Sequence, residues 1–160
     1  MLLHLLRHAH AGDPTAWDGP DSERPLSDKG RAQADRLGRF LASIAFRPDL
    51  VATSPKLRAM ETAEIVAAHL DAPVEVAERL AGGLDLDDLD ALLKAAGDPA
   101  RPVLVGHDPD FSDLVASLCG TECAPLRKGT FARIEVEGPL TPGVGTLRWL
   151  LPPDALKPER

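Results

Sequence analysis

The first dozen residues contain a short apolar run that stops abruptly at polar side chains. Four leucines surround His4 in the segment 2–6, and the run ends at Arg7 and His8. Because this run is too short for a helix to be preferred, it predicts a buried strand. In an open α/β sheet, ligands bind just outside the carboxyl ends of the strands. Arg7 and His8 are therefore the leading candidates for a functional site.

Beyond this strand, segments with helical periodicity alternate with short apolar segments typical of strands. Helices are predicted over about 28–45, from a Ser54-Pro55 start onward, over about 87–96, and from about 110 to a stop at Gly120. Strands are predicted over about 49–53, 73–76, 101–105, 130–136 and 146–151. This alternation predicts a three-layer α/β/α domain with a mostly parallel central sheet and an antiparallel C-terminal hairpin.

Two further strand ends carry cationic or basic side chains. Arg58 lies in the first turn of the helix that follows the second strand, and His107 follows the strand over 101–105. A cation near a helix N-terminus opposes the helix dipole, so Arg58 indicates a bound anion beside it unless it is a solvated surface residue. Three strand ends therefore direct candidate residues to one edge of the sheet.

Length and charge limit the classes of function. The chain has 160 residues and a formal net charge of −7, which predicts one domain over 1–151 with a loose tail over 152–160. An acidic chain with no apolar run of roughly 18 residues argues against nucleic acid and membrane partners and predicts a cytoplasmic protein. Cys119 and Cys123 are expected to be reduced thiols, with a redox pair or half a metal site as the alternative.

Several sequence blocks resemble those of a known enzyme family. Arg7-His8-Ala9, the segment from Thr53 to Ala63, and Val105-Gly106-His107 resemble, in order and spacing, the signature blocks of the histidine phosphatase superfamily. The segment from Arg24 to Gly30 resembles the corresponding block of the small, single-domain SixA-type phosphohistidine phosphatases. The resemblance implies a phosphoglycerate mutase-like fold.

The same resemblance implies a covalent phosphoryl-enzyme mechanism. His8 would be the nucleophile, Arg7, Arg58 and His107 would surround the phosphate, and Arg24 would add a further contact. The residue types suit this chemistry, because a neutral imidazole is nucleophilic near pH 7 and guanidinium groups can stabilise the phosphoryl oxygens. We therefore expect no cofactor and no metal.

One departure from the larger members of the superfamily bears on the substrate. Those members carry a glutamate general acid in an insertion after the third strand, whereas this chain has only the short segment 78–83, and Glu78 does not match that position convincingly. A phosphohistidine leaves as an imidazole, for which a strong acid is dispensable. The loop that follows the first strand could still supply a general acid, from the carboxyl groups of Asp13, Asp18, Asp21 or Glu23. The expected partner is a phosphorylated protein, such as a histidine phosphotransfer domain, or a small phosphorylated substrate.

Three alternatives remain open at this point. The chain could be a small-molecule phosphomonoesterase of the same superfamily. His8-x-His10 with Asp13 could belong to a metal-dependent hydrolase, although such a site needs further ligands. A non-catalytic module that binds phosphohistidine is the third alternative.

Overall fold

Six strands and four α-helices alternate along residues 1–159, which are the residues that this computed structural model describes. The strands are β1 (Leu2–Arg7), β2 (Leu50–Thr53), β3 (Glu75–Val76), β4 (Pro102–Gly106), β5 (Phe131–Val136) and β6 (Gly145–Leu151). The helices are α1 (Asp28–Ser43), α2 (Leu57–Leu70), α3 (Leu86–Ala95) and α4 (Asp110–Cys119). Arg160, the last residue of the predicted tail, lies outside the described residues. None of the described helices is long and apolar enough to cross a membrane.

The strands form one mixed sheet in the order β3-β2-β4-β1-β5-β6. The four strands from β3 to β1 are parallel, and β5 runs antiparallel to both β1 and β6. This topology confirms the predicted mostly parallel sheet with an antiparallel C-terminal hairpin. It also places β1 in the interior of the sheet, between β4 and β5.

The two faces of the sheet bury separate clusters of apolar side chains. Leu5 and Leu104 contribute to the cluster under α3 and α4. Leu6 and Val105, one residue further along each strand, contribute to the cluster under α1 and α2. Successive side chains of a strand point to opposite faces, so each interior strand supplies both clusters. Helices therefore cover both faces, which confirms the three-layer architecture.

His4 is completely buried on β1 and has a structural role. Its Nδ1 lies 2.9 Å from the carbonyl oxygen of Pro102, which can only accept, so Nδ1 carries the proton. Its Nε2 then accepts a hydrogen bond of 2.9 Å from Arg133 Nε. Burial lowers the pKa of His4 to about 4 and keeps the ring neutral.

The predicted start of the second helix at Ser54-Pro55 is wrong. Helix α2 begins at Leu57 with Lys56 as its N-cap residue. Ser54 still belongs to the extended chain, because its N–H donates to the carbonyl of Val105 at 2.9 Å and so continues the ladder between β2 and β4. The side chain of Ser54 is thereby left at the end of the sheet.

Helix α1 begins as predicted at the Ser27 cap and packs tightly on the segment that follows β1. Ser27 Oγ accepts from Gly30 N–H at 3.1 Å, and Ser27 N–H donates to the carbonyl of His10 at 3.0 Å. Gly30 lies so close to this segment that a Cβ atom there would be 1.9 Å from His10 O. The first turn of α1 thus needs glycine to hold the chain just beyond His8.

We expect Gly30→Ala to destabilise the protein by about 2 kcal/mol or more, because a backbone atom cannot move aside as a flexible side chain can. In an unhindered helix the same change would stabilise. The free energy of unfolding in urea is the measurement, with Lys29→Ala in the same helical turn as the matched control. A stability equal to that of the control would show that the close packing is not required.

Candidate active site

The parallel pairing of β1 with β4 brings the two predicted histidines together. Arg7 lies opposite Gly106 in the register, and His8 N–H donates to the carbonyl of Gly106 at 2.9 Å. The rings of His8 and His107 have centroids 5.3 Å apart. The start of α2, on the other side of β4, adds Arg58 to the same edge.

His8 is held in the tautomer that a nucleophile requires. Its Nδ1 lies 2.8 Å from the carbonyl oxygen of Ala9, which can only accept, so the ring proton resides on Nδ1. The lone pair is therefore on Nε2. His8 is 5% exposed, and burial together with the charges of neighbouring basic groups lowers its pKa to about 3.

Ser54 determines the proton position on His107. Ser54 Oγ accepts from Lys56 N–H at 3.2 Å and lies 2.7 Å from His107 Nε2. Among the hydrogen bonds of residues 1–159, Nε2 is the one acceptor for the hydroxyl proton of Ser54, so we assign the hydroxyl as the donor and the proton of His107 to Nδ1. Nδ1 is buried and has no hydrogen-bond partner among residues 1–159. Burial and the charge of Arg58 lower the pKa of His107 to about 3.

Two arginines present unpaired donors beside these rings. Arg7 Nη1 donates to the carbonyl of Leu126 at 2.7 Å and lies 3.4 Å from Asp108 Oδ2. Arg58 donates through both Nη atoms to Asp21, at 2.8 Å to its carbonyl and 3.0 Å to its Oδ2. In the part of the chain that the structure describes, Nε of each arginine is buried without a partner. Buried polar atoms normally have partners, so these donors indicate an anion site.

Arg24 joins the cluster through Asp21. Arg24 is 6% exposed, donates to the carbonyl of Ala11 at 2.7 Å, and lies 3.4 Å from Asp21 Oδ1. Asp21 therefore ties Arg24 to Arg58. Desolvation alone would raise the pKa of Asp21, but the charges and hydrogen bonds of the two arginines outweigh it and lower the pKa. Asp21 is a carboxylate, not a carboxylic acid, near pH 7.

Three contacts of this site have no counterpart in the sequence analysis. Asp108 pairs with Arg7 and accepts from Ser112 Oγ at 2.7 Å. Thr62 accepts from Ala9 N–H at 3.1 Å and donates to the carbonyl of Arg58 at 2.7 Å. Ser54, interpreted from sequence as a helix cap, instead binds His107. The available signal was a hydroxyl side chain within the signature segment at the end of a strand.

Other candidates from the sequence make no hydrogen bond to His8 or His107 among residues 1–159. Glu78 lines a cavity of about 400 Å³ between β2, β3 and α3. Asp13 accepts from the N–H and hydroxyl of Thr15 in its own loop. Both cysteines are free thiols. No three His, Cys, Asp or Glu side chains converge as metal ligands within residues 1–159.

Comparison with known proteins identifies relatives over the whole chain. The model of the histidine phosphatase superfamily (branch 1) matches residues 3–89. The chain is 30% identical to phosphohistidine phosphatase SixA of Escherichia coli, over 98% of this chain and 97% of that protein.

Solved structures agree with this sequence similarity. The structure of the protein histidine phosphatase SixA complexed with tungstate superposes with a TM-score of 0.83 at 29% identity, covering 98% of this chain and 100% of the other. The alpha-ribazole phosphatase from Shigella flexneri shares the fold at 20% identity, with a TM-score of 0.72 over 94% of this chain and 96% of the other. With signature residues clustered as described and similarity along its whole length, the chain belongs to branch 1 of the histidine phosphatase superfamily.

Proposed function

We propose that the chain is a metal-independent phosphohistidine phosphatase that forms a covalent phosphohistidine on His8. The observation that carries this proposal is the neutral His8 ring, whose Nδ1–H is fixed by Ala9 O and whose Nε2 carries the lone pair. Beside it, Arg7 Nε, Arg58 Nε and His107 Nδ1 are donors without a partner among residues 1–159. One nucleophile and three convergent donors suit an in-line attack on a phosphoryl group.

The proposed reaction has two displacement steps. In the first, the Nε2 lone pair of His8 attacks phosphorus, the P–N bond to the substrate imidazole breaks, and the leaving imidazole keeps the bonding electrons and takes a proton from solvent. In the second, water attacks phosphorus, the P–Nε2 bond breaks, and phosphate leaves while the proton of water passes to solvent. His8 returns to its neutral form, so the cycle consumes one water molecule.

The electrostatic contribution comes from groups that are already in place. The guanidinium groups of Arg7 and Arg58 are held by Asp108 and Asp21, so little reorganisation is needed when charge develops on the phosphoryl oxygens. The tautomer of His107 makes its Nδ1–H a third donor. These contacts stabilise the transition state without a metal ion.

The acid groups near the site favour a phosphoramidate substrate. Asp21, whose pKa is lowered, is a poor proton donor near pH 7. Glu78 lines the cavity between β2, β3 and α3, whose lining includes neither His8 nor His107. An imidazole leaving group is much less basic than an alkoxide and does not need a strong acid. The similarity to a phosphohistidine phosphatase supports a phosphorylated histidine as the substrate, and we propose that a signalling protein in the cytoplasm carries it.

A small phosphomonoester is the second candidate substrate. The shared fold with the alpha-ribazole phosphatase is the observation that favours it, and a loop carboxyl group would then have to supply the proton. A non-catalytic phosphohistidine-binding module is less well supported, because the nucleophile and its surrounding donors are all present.

We expect the protein to hydrolyse a phosphorylated histidine phosphotransfer domain faster than a panel of small phosphomonoesters, without added metal. His8→Ala should lower kcat/KM at least about a thousandfold, because it removes the nucleophile. Release of inorganic phosphate is the measurement. Preference for the esters would contradict the assignment, and absence of turnover on every substrate would favour the binding module.

The imidazoles of His8 and His107 should stay neutral from pH 8 down to about pH 5, since their pKa values lie near 3. Nuclear magnetic resonance titration of the ring nitrogens measures this directly. In the urea-unfolded chain both rings should titrate near about 6.5. Because the unfolded state then binds more protons, stability should fall as the pH drops from about 6.5 towards 3. Titration of either ring near 6.5 in the folded protein would contradict the prediction.

We expect Ser54→Ala to lower kcat/KM about tenfold. The substitution removes the hydroxyl group that donates to His107 Nε2 and so keeps the ring proton of His107 on Nδ1. The ¹⁵N shifts of His107 should change from the Nδ1–H pattern towards Nε2–H. Ser54→Thr, which keeps the hydroxyl group, should restore both properties. An unchanged ¹⁵N pattern in Ser54→Ala would show that Ser54 does not position the proton.

A further inference from the structure

The lysines of this chain fall into two groups. Lys94 and Lys157 form ion pairs with Asp90 and Asp154. Lys29, Lys56 and Lys128 have no ion-pair partner among residues 1–159. We call these three lysines the rim lysines, because each lies in a segment that borders the candidate active site.

Backbone contacts tie Lys56 and Lys128 to the catalytic groups. The N–H of Lys56 donates to Ser54 Oγ, the atom that contacts His107. Lys128 precedes Gly129, whose N–H donates to the carbonyls of Arg7 and His8 at 3.1 and 2.9 Å. Both lysine side chains are half-buried. Lys56 lies just beyond β2 and Lys128 just before β5, the two strands that flank β4 and β1 in the sheet.

Lys29 extends the rim along the first turn of α1. It is exposed and precedes Gly30, the residue packed against His10. Partial desolvation, and then the charges of Lys29 and Lys128, lower the pKa of His10. The two lysines thus act on the same side chain, two residues beyond the nucleophile.

The rim is a local concentration of positive charge on an acidic protein. Desolvation and the charges of Arg7, Arg24 and Arg58 lower the pKa of Lys128, against the opposing charge of Asp13. The other carboxylates at the site, Asp21 and Asp108, are paired with arginines. Asp13 and Asp154 lie near Lys128 and Lys29, but no carboxylate of residues 1–159 forms an ion pair with a rim lysine. The three ammonium groups can therefore pair with an external anion, although the chain carries a formal net charge of −7.

We propose that Lys29, Lys56 and Lys128 dock the acidic surface that surrounds the phosphorylated histidine of a partner protein. This inference rests on the proposed phosphohistidine phosphatase function and specifies the partner's chemistry. Charge complementarity argues for it, because most of this chain repels an acidic partner and the rim attracts one. The rim would thereby orient the partner with its phosphoryl group over His8.

The test uses two synthetic peptides that carry the same stable phosphohistidine analogue, flanked either by glutamates or by glutamines. The full chain should bind the glutamate peptide about tenfold more tightly, measured by fluorescence anisotropy at low salt. The combined variant Lys29→Ala, Lys56→Ala, Lys128→Ala should lose this preference. Lys94→Ala, which removes an ion-paired lysine of helix α3, should retain it.

Equal affinity for the two peptides, or a preference that survives in the combined variant, would overturn the proposal. An equal loss of affinity for both peptides would also overturn it, because the rim lysines would then contact the phosphoryl group itself. If the combined variant lost binding to a nucleoside triphosphate but kept its preference for the glutamate peptide, the rim lysines would be assigned to small polyphosphates instead.

Peptide binding and phosphohistidine hydrolysis are measured separately. The proposed catalysis and the proposed docking surface can therefore fail independently. A protein that hydrolyses no phosphohistidine but prefers the glutamate peptide would contradict the proposed catalysis and keep the docking surface. A protein that hydrolyses phosphohistidine without any charge preference would keep the catalysis and reject the docking surface. With both intact, the ratio of kcat/KM for a phosphorylated protein to that for free phosphohistidine should fall about tenfold in the combined variant.

Discussion

The parallel pairing of β1 with β4 is the contact on which the candidate active site depends. The register that sets Arg7 opposite Gly106 also ends both strands at the same level, so His8 and His107 emerge side by side. The side chains of both strands are buried in apolar clusters on the two faces of the sheet, and this packing holds the strands together. The core thus places the two residues side by side, and hydrogen bonds to Ala9 O and Ser54 Oγ orient their rings.

The candidate site contains buried hydrogen-bond donors without a partner, whereas a protein interior normally pairs such donors. Each buried donor without a partner costs about 1–3 kcal/mol, and Arg7 Nε, Arg58 Nε and His107 Nδ1 are three such donors among the described residues. Close cationic groups also make protonation of His8 unfavourable. A phosphoryl group would satisfy the donors and meet a neutral imidazole, as the proposed reaction on His8 requires.

Carboxylates in the site act on the arginines and not on the leaving group. Asp108 and Asp21 fix the guanidinium groups of Arg7 and Arg58, and their negative charge leaves the local excess of positive charge small. The unpaired rim lysines restore that excess at the edge, where a large partner would meet it. The carboxylates near His8 therefore position the arginines through hydrogen bonds. The rim lysines would attract the partner protein through longer-range charge.

The sequence by itself determined the elements and most residues of the candidate site, because periodicity, helix caps and strand ends are local features. The run that ends at Arg7, the Ser27 cap and the Gly120 stop all predicted their elements correctly, and the signature blocks identified the family. Contacts between distant segments required the tertiary structure. Ser54 looked like a helix cap because its hydroxyl suits one, but only the pairing of β2 with β4 shows that it faces His107. The partners of the two arginines likewise come from loops whose paths depend on packing, since nothing local specifies which carboxylate meets which guanidinium group.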